Sequence, residues 1–384
     1  MKILLIGEYY SSNLGDGVIC NTVESLLLNS FDNAEITVAD ITGNKGYNTK
    51  INQNYSVKKA TYTGTKLKLS KTITKIGIDT EYYRFYKSFQ NRTKEIEEIC
   101  SDKYDLAVFA GGQMFKDTFV FPISKFVEYL SSYNIPIIFN ACGVGEINSK
   151  KMRNLLSKTL SNKSVTSIST RDDILTLNNI FLKDSSKKAI ITYDPAIWAK
   201  EVYNIDKKDS DVVGLGIMYA YNMNFKDMVN FWVSIIKRLN EEGTKWKLFC
   251  NGTVIDYEFA NYILEYLEYS DDKKKALIAP RPTRPVELVE LISTFDSIIS
   301  FRLHSHIIAY SLDIPGIAIV WDTKIKHFYR SLGLEKRCKN IGDSSEDIVT
   351  ELKNAQFKGY DNELRIDQKL YCSELLTKMI NREV

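Results

Sequence analysis

The feature that most restricts the fold is a repeated unit: a short apolar run, a loop of glycine and polar residues at its end, then an amphipathic stretch. Residues 2–6 (KILLI) run into Gly7, and after a Gly/Ser/Asn loop residues 18–31 place Val18, Val23, Leu26, Leu27 and Leu28 near one helical face. The unit recurs at 105–110 before Gly111-Gly112, at 136–141 before Gly143, at 165–170 before Arg171-Asp172, and at 189–192 before Tyr193-Asp194-Pro195. Strands alternating with helices predict a parallel sheet covered by helices on both faces, with ligands bound at the carboxyl ends of the strands.

The pattern breaks twice. Residues 43–92 drift into Lys, Thr, Asn and Tyr, with a polar stretch at 44–75, and are expected to form a mobile polar insertion over the first lobe. At 203–211, Asn204, Asp206, Lys207, Lys208 and Asp209 interrupt the apolar pattern as a linker would, which sets a boundary near residue 207. The α/β alternation then restarts, with strands at 212–218, 246–250, 276–279, 297–300 and 316–320 and helices near 225–240 and 257–269. The chain of 384 residues therefore predicts an α/β protein of two doubly wound, Rossmann-like lobes, 1–206 and 207–360, facing across a cleft. The last segment, 361–384, should be a helix crossing back to the first lobe.

Composition excludes several roles. Lys and Arg total 51 against 48 Asp and Glu, and a net charge of +3 is too small for an electrostatic nucleic-acid partner. The six cysteines form no Cys-x-x-Cys pair, so neither a ribbon zinc site nor a disulfide scaffold is indicated, and reduced thiols in the cytoplasm are expected. The N-terminal apolar run is too short for a signal sequence, and nothing resembles a run of ~18 apolar residues, so no transmembrane segment is expected. Association with the inner face of a membrane is compatible with all of this. The unusual number is three histidines in a chain with 23 tyrosines, which leaves neutral-pH chemistry few imidazoles.

Two of those three, His304 and His306, lie in Phe301-Arg302-Leu303-His304-Ser305-His306, between a strand at 296–300 and a helical run at 307–312. One fixed cation and one titratable group beside a helix N-terminus suit a phosphate or carboxylate ligand. Zinc is disfavoured, because residues two apart diverge on a helix and no further ligands stand nearby in sequence; either histidine can instead be a satisfied core residue. Lys324, after the strand at 316–320, is a second cation for the same cleft, or a solvated one. In the first lobe Asn13-Leu14-Gly15-Asp16-Gly17 follows the first strand. Its glycines permit close backbone approach, and Asp16 is either a helix cap or a carboxylate that orients or deprotonates a substrate hydroxyl. Gly111-Gly112 is another strand-end loop. Arg171, a cation at a helix start, calls for an anionic partner, whereas Asp172 and Asp173 read as capping residues.

Taken together, Asn13-x-Gly15-Asp16, Gly111-Gly112, Arg171-Asp172, Asp194-Pro195, Arg302-Leu303-His304-Ser305-His306, Ile314-Pro315 and Asp322-x-Lys324 resemble the polysaccharide pyruvyl transferase family. The resemblance runs from Ile3 to about Leu334, with Gln113 where the family often has a third glycine and Trp321 where Tyr is common. It implies a two-lobed form similar to GT-B glycosyltransferases, and transfer of an enolpyruvyl unit from phosphoenolpyruvate onto two hydroxyls of a cell-surface glycan, free or lipid-linked, as a ketal. It needs no cofactor or metal. On that reading His304 and Asp16 are catalytic, and Arg302, Arg171, Lys324, His306, Asn13, Gly15, Gly111 and Gly112 bind substrate. The first lobe would take the acceptor and the second the donor. Two other readings stay open: a glycosyltransferase whose donor is a nucleotide-sugar, and a non-catalytic glycan-binding protein using Tyr82, Tyr83 and Tyr86.

Overall fold

The structure, a computed structural model, describes residues 1–47, 49, 79–220 and 223–384. Most of the expected polar insertion at 43–92 therefore lies outside the described residues.

The first lobe opens with β1 (Lys2–Gly7), α1 (Leu14–Ser30) and β2 (Glu35–Asp40). After α2 (Thr80–Phe89) and α3 (Thr93–Cys100) come β3 (Leu106–Phe109), β4 (Gly112–Phe115), α4 (Val120–Ser132), β5 (Ile137–Phe139), β6 (Cys142–Val144), α5 (Lys150–Leu160), β7 (Val165–Thr170) and β8 (Ile190–Ile191). Its main sheet runs β2-β1-β3-β5-β7-β8, and every pairing is parallel. Ile3, Leu4, Leu5 and Ile6 are all fully buried, as expected of a strand covered on both faces. The short β4 and β6 pair with each other beyond the main sheet; tripeptide- and tetrapeptide-length strands carry too little pattern to be read in sequence.

A turn at Pro195–Trp198 and α6 (Ala199–Tyr203) lead to an irregular stretch in which Asn204 takes a left-handed φ of 52°. The second lobe contains β9 (Val213–Gly216), α7 (Phe225–Glu241), β10 (Trp246–Phe249), α8 (Val254–Tyr266), α9 (Asp271–Leu277), α10 (Pro285–Ser293), β11 (Ser297–Ser300), α11 (Leu303–Ser311), β12 (Gly316–Ile319), α12 (Thr323–Ser331), β13 (Cys338–Lys339) and α13 (Ser345–Lys358). Its parallel sheet runs β10-β9-β11-β12-β13. The apolar run at 276–279 is not a strand: it closes α9, and only Ile278 bridges to Leu248. Asp271 and Asp272 in the first turn and Lys274 and Lys275 in the last complement the helix dipole and tip this short run to helix.

Local signals set the helix ends. Ser149 Oγ accepts from Met152 N at 3.1 Å at the start of α5, and Pro285 opens α10, where its missing N–H costs nothing. The last helix, α14 (Asn362–Asn381), lies on the first lobe: Tyr371 donates to Ile191 O at 3.2 Å, and Trp198 Nε1 donates to Lys369 O at 3.1 Å. One apolar cluster runs through both lobes, from Ile3 and Leu5 through Val18 and Leu27 of α1 to Leu288, Ile307 and Leu376. The lobes thus share a core as well as a cleft. Leu376→Ala should cost about 2–5 kcal/mol of unfolding free energy and still give one denaturant transition by fluorescence and circular dichroism; two separated transitions would contradict a shared core.

Candidate active site

In each sheet the strand order reverses once, between β1 and β3 in the first lobe and between β9 and β11 in the second. Loops on either side of such a point leave in opposite directions and open a crevice at the carboxyl ends of the strands. The two crevices face each other. Together they form a cleft of about 290 Å³ whose lining includes Asp16, Gln113, Arg171, Arg302, His304 and Lys324.

From the first lobe, the loop after β1 leads into α1, which presents Asp16 in its first turn. Asp16 does not cap the helix: the cap position is Asn13, and Asp16 Oδ2 instead accepts from Asn13 Nδ2 at 3.0 Å and Ser11 Oγ at 3.2 Å. The carboxylate is thereby fixed with Oδ1 toward the second lobe. Gly111 (φ 116°) and Gly112 (φ 85°) carry the chain out of β3 through backbone conformations that L side chains rarely adopt. Gly15 serves a different need. A Cβ there would sit 2.2 Å from the Cβ of His304, so only glycine lets the two lobes meet at this point.

From the second lobe, α11 begins at Leu303 rather than near 307, with Arg302 at its cap position. His304 therefore stands in the first helical turn, buried. Its Nδ1 is 3.7 Å from Asp16 Oδ1, and its Nε2 is 3.2 Å from Arg171 Nη1 and 3.8 Å from Asp194 Oδ2. The ring thus bridges the lobes, with Nδ1 toward the Asp16 carboxylate and Nε2 toward the Arg171–Asp194 pair.

Arg171 directly follows β7 and is locked by Asp194, whose second oxygen accepts from Ala196 N at 2.9 Å. Burial alone would discharge both groups. The charges of Asp194, Asp172 and Asp16 instead raise the Arg171 pKa, and against the upward push of burial Arg171 and His304 hold the Asp194 carboxyl below the usual carboxylate range. Arg171 Nε is buried with no hydrogen-bond partner among the described residues. Asp173 caps the helical turn that follows, with Thr176 N at 3.0 Å, while Asp172 reaches across to Val144 N at 2.9 Å and is no simple cap.

Arg302 is held by Asp256 of α8, fully buried, which accepts from its Nε at 3.0 Å and from Nη2; Nη1 is outside that pair. Lys324, from the first turn of α12, donates to Gln113 Oε1 of the opposite lobe at 3.0 Å, stands 3.3 Å from Asp322 and lies over the Trp321 ring. Burial lowers its pKa, against the charge of Asp322.

His306 is not brought to the cleft. It is fully buried behind α11, where Nε2 donates to Ser300 O at 2.9 Å and Nδ1 lies 2.9 Å from the Tyr329 hydroxyl. Two residues along a helix is about 200° of rotation, so His304 and His306 must face opposite sides. Gly111 and Gly112 shape the loop but contribute no side chain. Sequence reasoning missed Glu8, Lys116 and the contact made by Gln113. Glu8 is the first polar residue after β1, a position that could have drawn notice, while Asp256 carried no signal because its partner is 46 residues away. Glu8 is pushed up to about 7 by burial and by Asp16, against the nearby Lys116 ammonium at 3.3 Å. Among the described residues no group of three or more His, Cys, Asp or Glu could hold a metal ion.

Solved structures share this architecture from end to end. The UDP-GlcNAc 2-epimerase of Methanocaldococcus jannaschii superposes with a TM-score of 0.60 at 12% identity, covering 99% of each chain. The Neisseria meningitidis UDP-GlcNAc 2-epimerase bound to UDP-GlcNAc gives 0.58 at 14% over 100% of both chains, and S. aureus MnaA with UDP gives 0.56 at 14% over 99% of this chain and 95% of that one. The molecule is thus a two-lobed GT-B-type α/β protein with a polar, charged cleft between its lobes. No curated protein matches the chain. The polysaccharide pyruvyl transferase family model matches residues 13–323, and the chain belongs to that family, an enzyme acting on polysaccharide.

Two outcomes follow from these placements. Gly15→Ala must displace His304, and since ~1 Å of misplacement can cost about 10²-fold, turnover should fall by that order, with overpacking lowering the unfolding free energy by about 1–3 kcal/mol as well. His306, held down to about 4 by burial from an ordinary 6.5, binds its proton in the unfolded chain first. Its contribution to stability is complete above pH 6.5 and declines as pH falls to 4, by about 3 kcal/mol at 1.36 kcal/mol per pH unit. Chemical denaturation at pH 7 and pH 4.5 should show a smaller loss for His306→Asn than for the wild type.

Proposed function

We propose that the chain transfers the pyruvyl unit of phosphoenolpyruvate onto two hydroxyls of a sugar in a cell-surface polysaccharide or its precursor, forming a cyclic ketal. The observation that carries this reading is the convergence of Arg171, Arg302 and Lys324 on a buried His304–Asp16 pair drawn from opposite lobes. Phosphoenolpyruvate presents a phosphate and a carboxylate on a three-carbon frame, and guanidinium forks pair with both groups in bidentate fashion. Arg171 and Arg302 are already neutralised by Asp194 and Asp256, so the ligand does not have to offset bare buried charge, and the unpaired N–H groups of each fork stay available.

The chemistry needs one proton delivered to the methylene carbon and two removed from the acceptor. Protonation turns the enol phosphate into an oxocarbenium-like centre; a hydroxyl adds to C2, phosphate departs with its bonding electrons and a proton, and the second hydroxyl closes the ketal. The two protons lost by the hydroxyls match those gained by the methyl group and the phosphate. His304 is assigned the proton donation or the phosphoryl contact, and Asp16, fixed by Asn13 and Ser11, orients the reacting hydroxyl. The second lobe then holds the donor, with Arg171 reaching it from the first, and the first lobe takes the acceptor, in the cytoplasm at the inner face of the membrane; no described helix is long and apolar enough to cross one.

A nucleotide-sugar donor is the competing reading, supported by neighbours whose structures carry UDP or UDP-GlcNAc. Thermal-shift titration separates the two, since a ligand at 100 times its Kd stabilises by about 2.7 kcal/mol. Phosphoenolpyruvate should raise the melting temperature and UDP should not; the reverse result sinks the pyruvyl reading. His304→Gln should keep the fold and lower turnover about 10²–10⁴-fold, measured as phosphate released per pyruvylated glycan.

A further inference from the structure

A second groove, of about 380 Å³, lies beside the cleft in the first lobe, lined by Ile41, Thr42, Phe85, Ser88, Phe119 and Pro122 among others. Glu8 and Lys116 line both spaces and mark where they join. We propose that this groove holds the sugar acceptor, a glycan chain laid on its aromatic and hydroxyl-bearing wall, and that Glu8 takes the proton from the attacking hydroxyl at the junction. The proposal rests on the pyruvyl-transfer reading above.

The two spaces differ in chemistry. The cleft gathers the cations that suit a small anion, whereas the one arginine lining the groove among the described residues, Arg92, spends its guanidinium on Ile41 O at 2.6 Å, Asp40 O at 3.3 Å and Glu95 at 3.3 Å. What remains is apolar rings with a few hydroxyls, the lining expected for a neutral ligand with an apolar face and polar edges, and the volume falls in the range of ligand pockets. Lys116 ties the junction together: its ammonium stands 3.3 Å from Glu8 and 4.4 Å over the Phe119 ring centre. A hydroxyl entering from the groove meets Glu8 before it reaches the cation-lined donor side.

Glu8 faces Asp16, Asp40 and Lys116, and with its proton held near neutral pH it can both accept a proton and release it. In the step assigned to it, the acceptor O–H bond breaks, the oxygen lone pair forms the bond to C2 of the oxocarbenium, and the proton moves to a Glu8 carboxylate oxygen. Glu8 then returns that proton to solvent through the cleft before the second hydroxyl adds. Asp16, already held by two donors, keeps the orienting role.

The test uses the full chain with phosphoenolpyruvate and, as acceptor, cell-envelope polysaccharide from the source organism freed of pyruvyl groups by mild acid. Phosphoenolpyruvate affinity is read by calorimetry and transfer by mass spectrometry. Ser88→Trp, an exposed position that fills the groove, should raise the acceptor KM by about tenfold or more with phosphoenolpyruvate affinity unchanged. Glu8→Gln should lower kcat about 10²–10⁴-fold with both affinities within about twofold, and Glu8→Asp should recover part of the loss. An unchanged KM in Ser88→Trp, or near-wild-type kcat in Glu8→Gln, overturns the proposal. A wild-type protein that binds no phosphoenolpyruvate overturns the donor reading first, and the groove assignment with it.

Discussion

Everything at the cleft depends on how closely α1 of the first lobe packs on α10 and α11 of the second. Leu14, Val18 and Leu27 of α1 are buried in the same cluster as Leu288 and Ile307. The approach is tight enough that Gly15 lies against the His304 side chain, and a Cβ on Gly17 would stand 2.8 Å from Pro285. Close-packed interiors do not yield to such intrusions cheaply, so the small residues at 15 and 17 set the separation between the lobes. With any larger separation, Asp16 and His304 would belong to two unrelated strand ends. Packing α14 of the C-terminus back across the first lobe adds Leu375, Leu376 and Met379 to the same core and closes the arrangement from behind.

That separation is also what makes the charged groups affordable. Arg171 and Asp194 are each almost completely buried, and removing two charges from water costs several kcal/mol per ion unless good geometry and further hydrogen bonds compensate. Here Asp194 accepts from Arg171 and from a backbone N–H, while His304 Nε2 stands 3.2 Å from Arg171 Nη1 and 3.8 Å from Asp194 Oδ2. Arg302 repeats the scheme with a fully buried Asp256, which also accepts from Tyr219 N at 2.8 Å. Each arginine is thus pre-positioned by a carboxylate from another element. The cleft presents directed N–H groups rather than unpaired charge, which is the arrangement that transition-state stabilisation requires.

Much of the fold was legible. Runs such as KILLI before Gly7 and SIIS before Arg302 are buried on both faces and read as parallel strands, and the residues placed after them by chain order do stand at the carboxyl ends. His304, Asp16, Arg171, Arg302 and Lys324 were all visible as strand-end residues of unusual chemistry, and the structure gathers them. Where the reading failed, the reasons are physical. The 276–279 run was too short for its periodicity to outweigh the charges that favour a helix. His306 shares its motif with His304 but, two residues along a helix, is turned into the core toward Ser300 and Tyr329. Asp16 carries the chemistry of a cap, yet its helix starts two residues before it.

The sequence by itself determined the two-lobed parallel architecture, the family, and which strand ends carry cations and a histidine, because hydrophobic periodicity and residue chemistry are local properties. Only the tertiary structure decided which of those groups act together. Glu8 is unremarkable until burial beside Asp16 lifts its proton toward neutrality, Asp256 is an ordinary helical carboxylate until Arg302 reaches it, and Gln113 has no role until Lys324 crosses the cleft. Desolvation and pairing depend on neighbours that are tens or hundreds of residues away along the chain, so they come into being only when the shared core brings the lobes together.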